Sequence, residues 1–289
     1  MNRRFCALSG LGLLIWGGST AAAPLETWQF NSTTFSAAAK TDCGGTVNCR
    51  LEYTLTSGAK IAVHAYSTSG ANTALTTSST LGTANGTFIA AELTNQNGSG
   101  LGIKNATSDQ FEGDTPEHAA DNEGRYDLFV FEALSGNPNK FDWESIGIGW
   151  AQEFTRNTDN TVNNLGAKAD IQFFVGNKGN VSGGTDFTTM CFSGCGASTS
   201  ITDSSSGFKA FAHLDDRVAG SVTVPGTGTE TKGRYMVVSG ALNLGGSSAL
   251  FDAFKLNSVS GYVPEPHSLA LLGLGAFAMF GFGRQRRRA

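Results

Sequence analysis

The chain has 289 residues, 38 of them glycine, with charged side chains at only 15% and a formal net charge of −4. Set aside the six arginines and the one glutamate of its two ends, and the body keeps 14 Lys and Arg against 23 Asp and Glu, net −9. That balance argues against nucleic acid and anionic membrane surfaces as partners of the body, and it suits a secreted protein.

Arg3 and Arg4 open the chain, an apolar run follows from Phe5 to Trp16, and small residues fill Gly17 to Ala23. Charge, apolar run and small residues in that order form a secretory signal-peptide pattern. About 12 apolar residues are too few to span a bilayer, which needs about 20. Cleavage after Ala22 puts Thr20 and Ala22 in the small-residue subsites, so residues 1–22 are expected to leave through the Sec machinery and signal peptidase. Cys6 lies inside the apolar run, not at a cleavage junction.

The body, residues 23–262, is rich in Gly, Ser, Thr and Asn, which favour turns and strands over helices. Strand character shows at Lys60–Tyr66, Tyr126–Phe131, Ser145–Trp150, Ala169–Val175, Arg234–Val238 and Ala253–Val259. No sustained helical period appears; one short helix is expected near Pro116–Ala120. The pattern predicts an all-β domain of the β-sandwich or jelly-roll kind. Trp28, Trp143 and Trp150 are candidates to stack on sugar rings, but they are expected in the core, Trp150 on the inward face of its strand. The stretch Thr73–Thr87 reads as a long exposed loop or irregular edge, with a glycosylated segment as the alternative. Asn-X-Ser/Thr triplets at Asn31, Asn85, Asn97, Asn105 and Asn180 are chance in a Thr-rich chain.

Four cysteines remain after the signal: Cys43, Cys49, Cys191 and Cys195. An even count in an exported protein implies disulfides, with Cys43–Cys49 and Cys191–Cys195 the preferred local pairing over Gly-containing loops. The alternative is a zinc site, but the spacings differ from the usual two-residue knuckle. Asp121, Asn122 and Asp127 gather oxygens about a turn and form a candidate calcium site, although the spacing is not that of an EF-hand. The other reading is a polar turn leading into a core strand. Gly-Arg-Tyr occurs at residues 124–126 and again at 233–235, at two turn-to-strand junctions.

Catalytic signals are weak. His64, His118 and His213 stand alone, and His64 reads as a satisfied structural histidine in an alternating strand. His213-Leu214-Asp215-Asp216 reads as a solvated polar cluster. No nucleophile elbow, zinc-protease helix or phosphate loop is present. Paired carboxylates for glycoside hydrolysis form in space rather than in sequence, so a hydrolase stays an alternative. No enzyme activity and no cofactor other than calcium is expected.

The C-terminus carries Val263-Pro264-Glu265-Pro266, then an apolar stretch of 14 residues, Leu269–Phe282, then Arg284, Arg286, Arg287 and Arg288. The apolar stretch predicts a single transmembrane helix, and the arginines hold its end in the cytoplasm as a stop-transfer. The two prolines keep the chain ahead of it extended. These three parts, in this order at the C-terminus, resemble the PEP-CTERM sorting signal of Gram-negative bacteria over residues 263–289. The resemblance implies an exosortase as partner, with Pro264, Glu265 and Pro266 as the recognition site. It also implies passage through the inner membrane to the cell surface or extracellular matrix. Asp121, Asn122, Gly124, Tyr126 and Asp127, followed by Ile146, Ile148, Gly149 and Trp150, resemble a group of exosortase-dependent surface proteins with no assigned reaction. The expected role is structural or adhesive, linked to exopolysaccharide and biofilm. The alternatives are a carbohydrate-binding module and a secreted hydrolase.

Overall fold

The computed structural model describes residues 23–43, 45–68, 88–95, 98–104, 118–123, 126–157, 159, 161–176, 208–226, 231–240 and 250–264. In chain order these residues form β1 (Leu25–Gln29), α1 (Ser32–Ala37), β2 (Ala39–Cys43), β3 (Thr46–Thr54), β4 (Lys60–Thr68), β5 (Phe88–Ala90), β6 (Glu92–Asn95), β7 (Leu101–Lys104) and β8 (Ala120–Asp121). Then follow β9 (Asp127–Ala133), a 3-10 turn at Pro138–Lys140, β10 (Asp142–Arg156), β11 (Val162–Gly166), β12 (Ala169–Gly176), β13 (Phe208–Arg217), β14 (Gly220–Thr223), β15 (Tyr235–Gly240) and β16 (Phe251–Tyr262).

The strands make two antiparallel sheets of eight. One runs β11-β10-β16-β7-β6, with β14 on β10, and β1 and β8 beside β16; the other runs β13-β12-β15-β9-β4-β3-β2, with β5 on β4. Two long strands form the spine of the first sheet, β10 paired with β16 from Asp142↔Tyr262 to Phe154↔Phe251. The sheets meet in one core. Phe129 of β9 packs on Phe254 of β16 with ring centroids 5.9 Å apart, and Phe131 packs on Trp143 of β10 at 6.1 Å. Trp28 and Trp143 are fully buried there, as expected, and the Trp143 indole N–H donates to the Gly233 carbonyl at 2.9 Å. Burying such rings removes 150–250 Å² each from water and drives the collapse.

The second sheet departs from simple alternation. On β9 Phe129 and Phe131 face the shared core, yet Leu128, Val130 and Glu132 between them are buried as well. β4 and β15 repeat this with Ala62, His64 and Tyr66, and with Tyr235, Val237 and Ser239. The continuous apolar run Leu128-Phe129-Val130-Phe131 is the corresponding sequence pattern, since a strand covered on both faces has no polar side.

Two expectations need correction. Of the segment expected as a helix near Pro116–Ala120, the described part is a turn at His118 leading into β8, which pairs with β16. Trp150 is not on the inward face. Ile146 and Ile148 face the core, but the β10–β16 register shifts between Ile148 and Trp150, and Ala151 takes the inward position. A bulge of this kind moves every later side chain to the other face. Trp150 instead packs half-buried beside Phe154 and Ala253, with the Lys255 ammonium 5.6 Å from its ring. The one described helix, α1, has a local cause: the Asn31 side chain accepts from the Thr34 N–H at 3.0 Å, and the Thr34 hydroxyl caps the Asn31 N–H in return. The loop expected at Thr73–Thr87 lies outside the described residues.

Candidate functional site

The motif at the C-terminus begins inside the folded body. β1 pairs with the last part of β16, from Gln29↔Ser258 to Leu25↔Tyr262, and the Val263 N–H donates to the Pro24 carbonyl at 3.2 Å. The start of the body and the start of the motif therefore lie side by side. Val263 is buried in the shared core. Pro264 follows against the turn after β9. Gly136 has φ +68° there, and a Cβ at this position would stand 2.2 Å from the Pro264 carbonyl oxygen. Only glycine allows both the left-handed backbone and the close approach.

Beside this junction lies a cavity of about 680 Å³, lined by Ala23, Asn137, Asn139, Lys140, Asp142, Lys232, Tyr262 and Pro264. Asp142 accepts from the Thr231 hydroxyl at 2.5 Å and faces the Lys232 ammonium at 3.5 Å, while Lys140 ends the 3-10 turn. Sequence reading picked out Pro264 and missed Gly136, Lys140, Lys232 and Tyr262. Four separate stretches build this wall, and the only local trace was the turn signature Gly136-Asn137-Pro138. Glu265, Pro266, Arg284, Arg286, Arg287 and Arg288 lie outside the described residues, as do the predicted signal peptide and the Leu269–Phe282 stretch. Among the described residues no helix is long and apolar enough to cross a membrane.

Cys43 and Cys49 form a disulfide with Cα atoms 5.9 Å apart, closing the β2–β3 hairpin at Gly45, where φ is +100°. Cys191 and Cys195 lie outside the described residues. The described side chains around Asp121 are held by hydrogen bonds. The Asp121 carboxylate accepts from the Glu123 N–H at 2.9 Å, Asp127 pairs with the Ser67 hydroxyl, and Asn122 reaches β16, accepting from the Asp252 N–H at 2.8 Å. Among the described residues no three His, Cys, Asp or Glu side chains gather as a metal would need.

That turn leads to a buried acid that sequence reading missed. Asp252 accepts from the Asp170 N–H of β12 at 2.9 Å and from the Asn122 amide at 3.4 Å, linking the two sheets. Burial, with the nearby Asp170 and Glu153 charges, pushes its carboxyl up to about 7. A second buried group lies on the second sheet: His64 Nε2 is 3.2 Å from Glu132, which also takes Arg234 Nη2 at 2.6 Å. Burial alone would raise Glu132, but the His64 and Arg234 hydrogen bonds outweigh it and bring the carboxyl down to about 2. Burial pushes His64 down despite the Glu132 partner. His64 is thus buried and bonded to Glu132, which fits a structural histidine. In the other expected cluster, Asp215 and Asp216 are exposed on β13, and Asp216 pairs with Lys168 at 2.5 Å.

A smaller cavity of about 330 Å³ opens between α1 and β3, with Trp28, Thr34, Glu52, Tyr53 and Lys60 among its lining residues. Trp28 Nε1 and the Tyr53 hydroxyl are buried without a hydrogen-bond partner among the described residues.

Residues 263–288 match the family model of the PEP-CTERM protein-sorting motif. The match defines a class, exported proteins that carry a C-terminal sorting signal. The chain carries that motif, which indicates exosortase-dependent sorting of an exported protein. No curated protein and no solved structure matches the chain.

Proposed function

We propose that the protein is a β-sandwich exported through the Sec machinery, held at the inner membrane by its tail, and then processed by an exosortase. It is delivered to the surface or extracellular matrix of a Gram-negative cell, where its role is structural or adhesive within an exopolysaccharide layer. The observation that carries this reading is the junction: β16 runs directly into the matched motif, so the whole two-sheet body is the cargo of the signal. Its acidic charge and disulfide suit a compartment outside the cytoplasm.

The test is the intact mass and location of the protein in cells with and without an exosortase, for the native tail and for Pro264, Glu265 and Pro266 all changed to Ala. The native protein is expected to lose about 25 residues, on the match to residues 263–288, and to reach the surface. The variant is expected to stay full length in the inner membrane. Tails retained on both proteins would leave the C-terminus as a plain anchor and remove the matrix role.

The cavity at Trp28 and Tyr53 favours a second reading, a carbohydrate-binding module. Two unpaired buried polar groups on cavity-lining residues suit a ligand rich in hydrogen-bonding groups. That reading expects saturable binding of a soluble exopolysaccharide, weakened by Tyr53→Phe, which removes the hydroxyl and keeps the ring.

A further inference from the structure

We propose that the end wall of the body around Pro264 is a second recognition surface for the exosortase, read together with the linear motif. The inference rests on the sorting function proposed above.

Pro264 is at once the first proline of the motif and part of the wall of the 680 Å³ cavity. It is not on a free linker. The Val263 N–H is tied to Pro24, and the Pro264 carbonyl is seated on Gly136. The next Cα along the chain is only about 3.8 Å further on. An enzyme that grips the motif from its first residue therefore comes against Tyr262, Lys140 and Lys232 as well, unless the strand end is first peeled away. Peeling would break the Val263 bond and expose an apolar side chain buried in the core.

Tether length points the same way. From Pro264 to Leu269 is five residues, which span at most about 17 Å when fully extended. Before cleavage this end of the body is thus held close to where a membrane enzyme works. The wall also differs in charge from the body as a whole, which is net −9. Lys232 is 41% exposed and only loosely paired with Asp142 at 3.5 Å, and Lys140 is exposed beside it. These cations fit an acidic or carbonyl-rich rim on the enzyme, where rim charges act mainly on the rate of encounter.

Three full-length variants made in exosortase-containing cells test this, with the rate of tail loss followed by pulse-chase. Lys140→Glu with Lys232→Glu reverses the charge of the wall. Lys40→Glu with Lys104→Glu makes the same charge change outside the cavity. A four-residue Gly-Ser spacer between Val263 and Pro264 leaves every body residue unchanged, keeps Pro264-Glu265-Pro266 contiguous, and separates the wall from the motif. The wall pair and the spacer are each expected to slow tail loss about five- to tenfold, and the control pair to leave it at the native rate. Formation of the Cys43–Cys49 disulfide checks that each variant folds, and the spacer protein decides if the wall pair does not fold. Native rates for both the wall pair and the spacer would overturn the proposal. So would slowing by the wall pair alone, which would point to attraction between the lysines and anionic lipid. The triple alanine variant of the motif separates the two levels: if it is still processed, the sorting reading itself fails, whatever the wall does.

Discussion

Asp252 and Glu132 set opposite limits on stability. Asp252 has a folded value near 7 against an ordinary 3.8, so it favours the fold while protonated. That contribution is fully present below about pH 4 and is lost as the pH rises through 7. Glu132 is depressed to about 2 from 4.5, so its contribution is present above 4.5 and lost as the pH falls through 2. Urea unfolding is expected to show greatest stability near pH 4, with a loss on the order of 3 kcal/mol by pH 8. Asp252→Asn should flatten that alkaline fall. At pH 5 it should cost about 1 kcal/mol, because the Asn122 amide then meets another donor. A second single-residue test is Gly136→Ala, which forces a side chain into φ +68° and against Pro264. A loss of about 1–3 kcal/mol in urea unfolding is expected. Neither Asp252 nor Gly136 stood out in the sequence, because the burial of the one and the contact of the other are made by strands far away in the chain.

The strands were legible where a run carries its own signature. Lys60–Tyr66 and Ala169–Val175 alternate or cluster β-branched and aromatic residues, and they appear as β4 and β12. The failures came from features that depend on a partner. The bulge that turns Trp150 outward lies in the pairing of β10 with β16, and β8 is a strand only because β16 offers it an edge. α1 was missed because its signal is a capping pair on six residues rather than a hydrophobic period. The β2–β3 hairpin was legible through its cysteines. Its disulfide spans a sequence separation of 6, and closing so short a loop constrains the unfolded chain by about 2 kcal/mol. Cys43→Ala is expected to lower the stability of the oxidised protein by that amount in urea unfolding. The same substitution should change nothing under reducing conditions beyond the loss of one half-buried thiol.

For the whole molecule, the sorting motif was the most legible part, because it is a linear segment and a linear segment is what a sequence displays. Pro264, Glu265 and Pro266 could be named without a fold. The wall beside them could not, since it joins the N-terminal end of the body, the turn after β9, the segment before β15 and the end of β16. The two-sheet body was legible as a class from composition and turn residues. The cavity at Trp28 and Tyr53 was not, because Trp28 read as core, Tyr53 carried no signal, and both do pack in the core.

The course of β16 has a mechanical meaning. A body fastened to a surface through its C-terminus is pulled from Tyr262 along the axis of that strand. β16 is bonded to β10 along its length on one side, and to β1, β7 and β8 in turn on the other. Drag on the cell layer would therefore strain these bonds in shear, all together, instead of opening them one pair at a time from an end. The strand that hands the chain to the sorting signal is also the one best placed to resist tension once the protein is anchored.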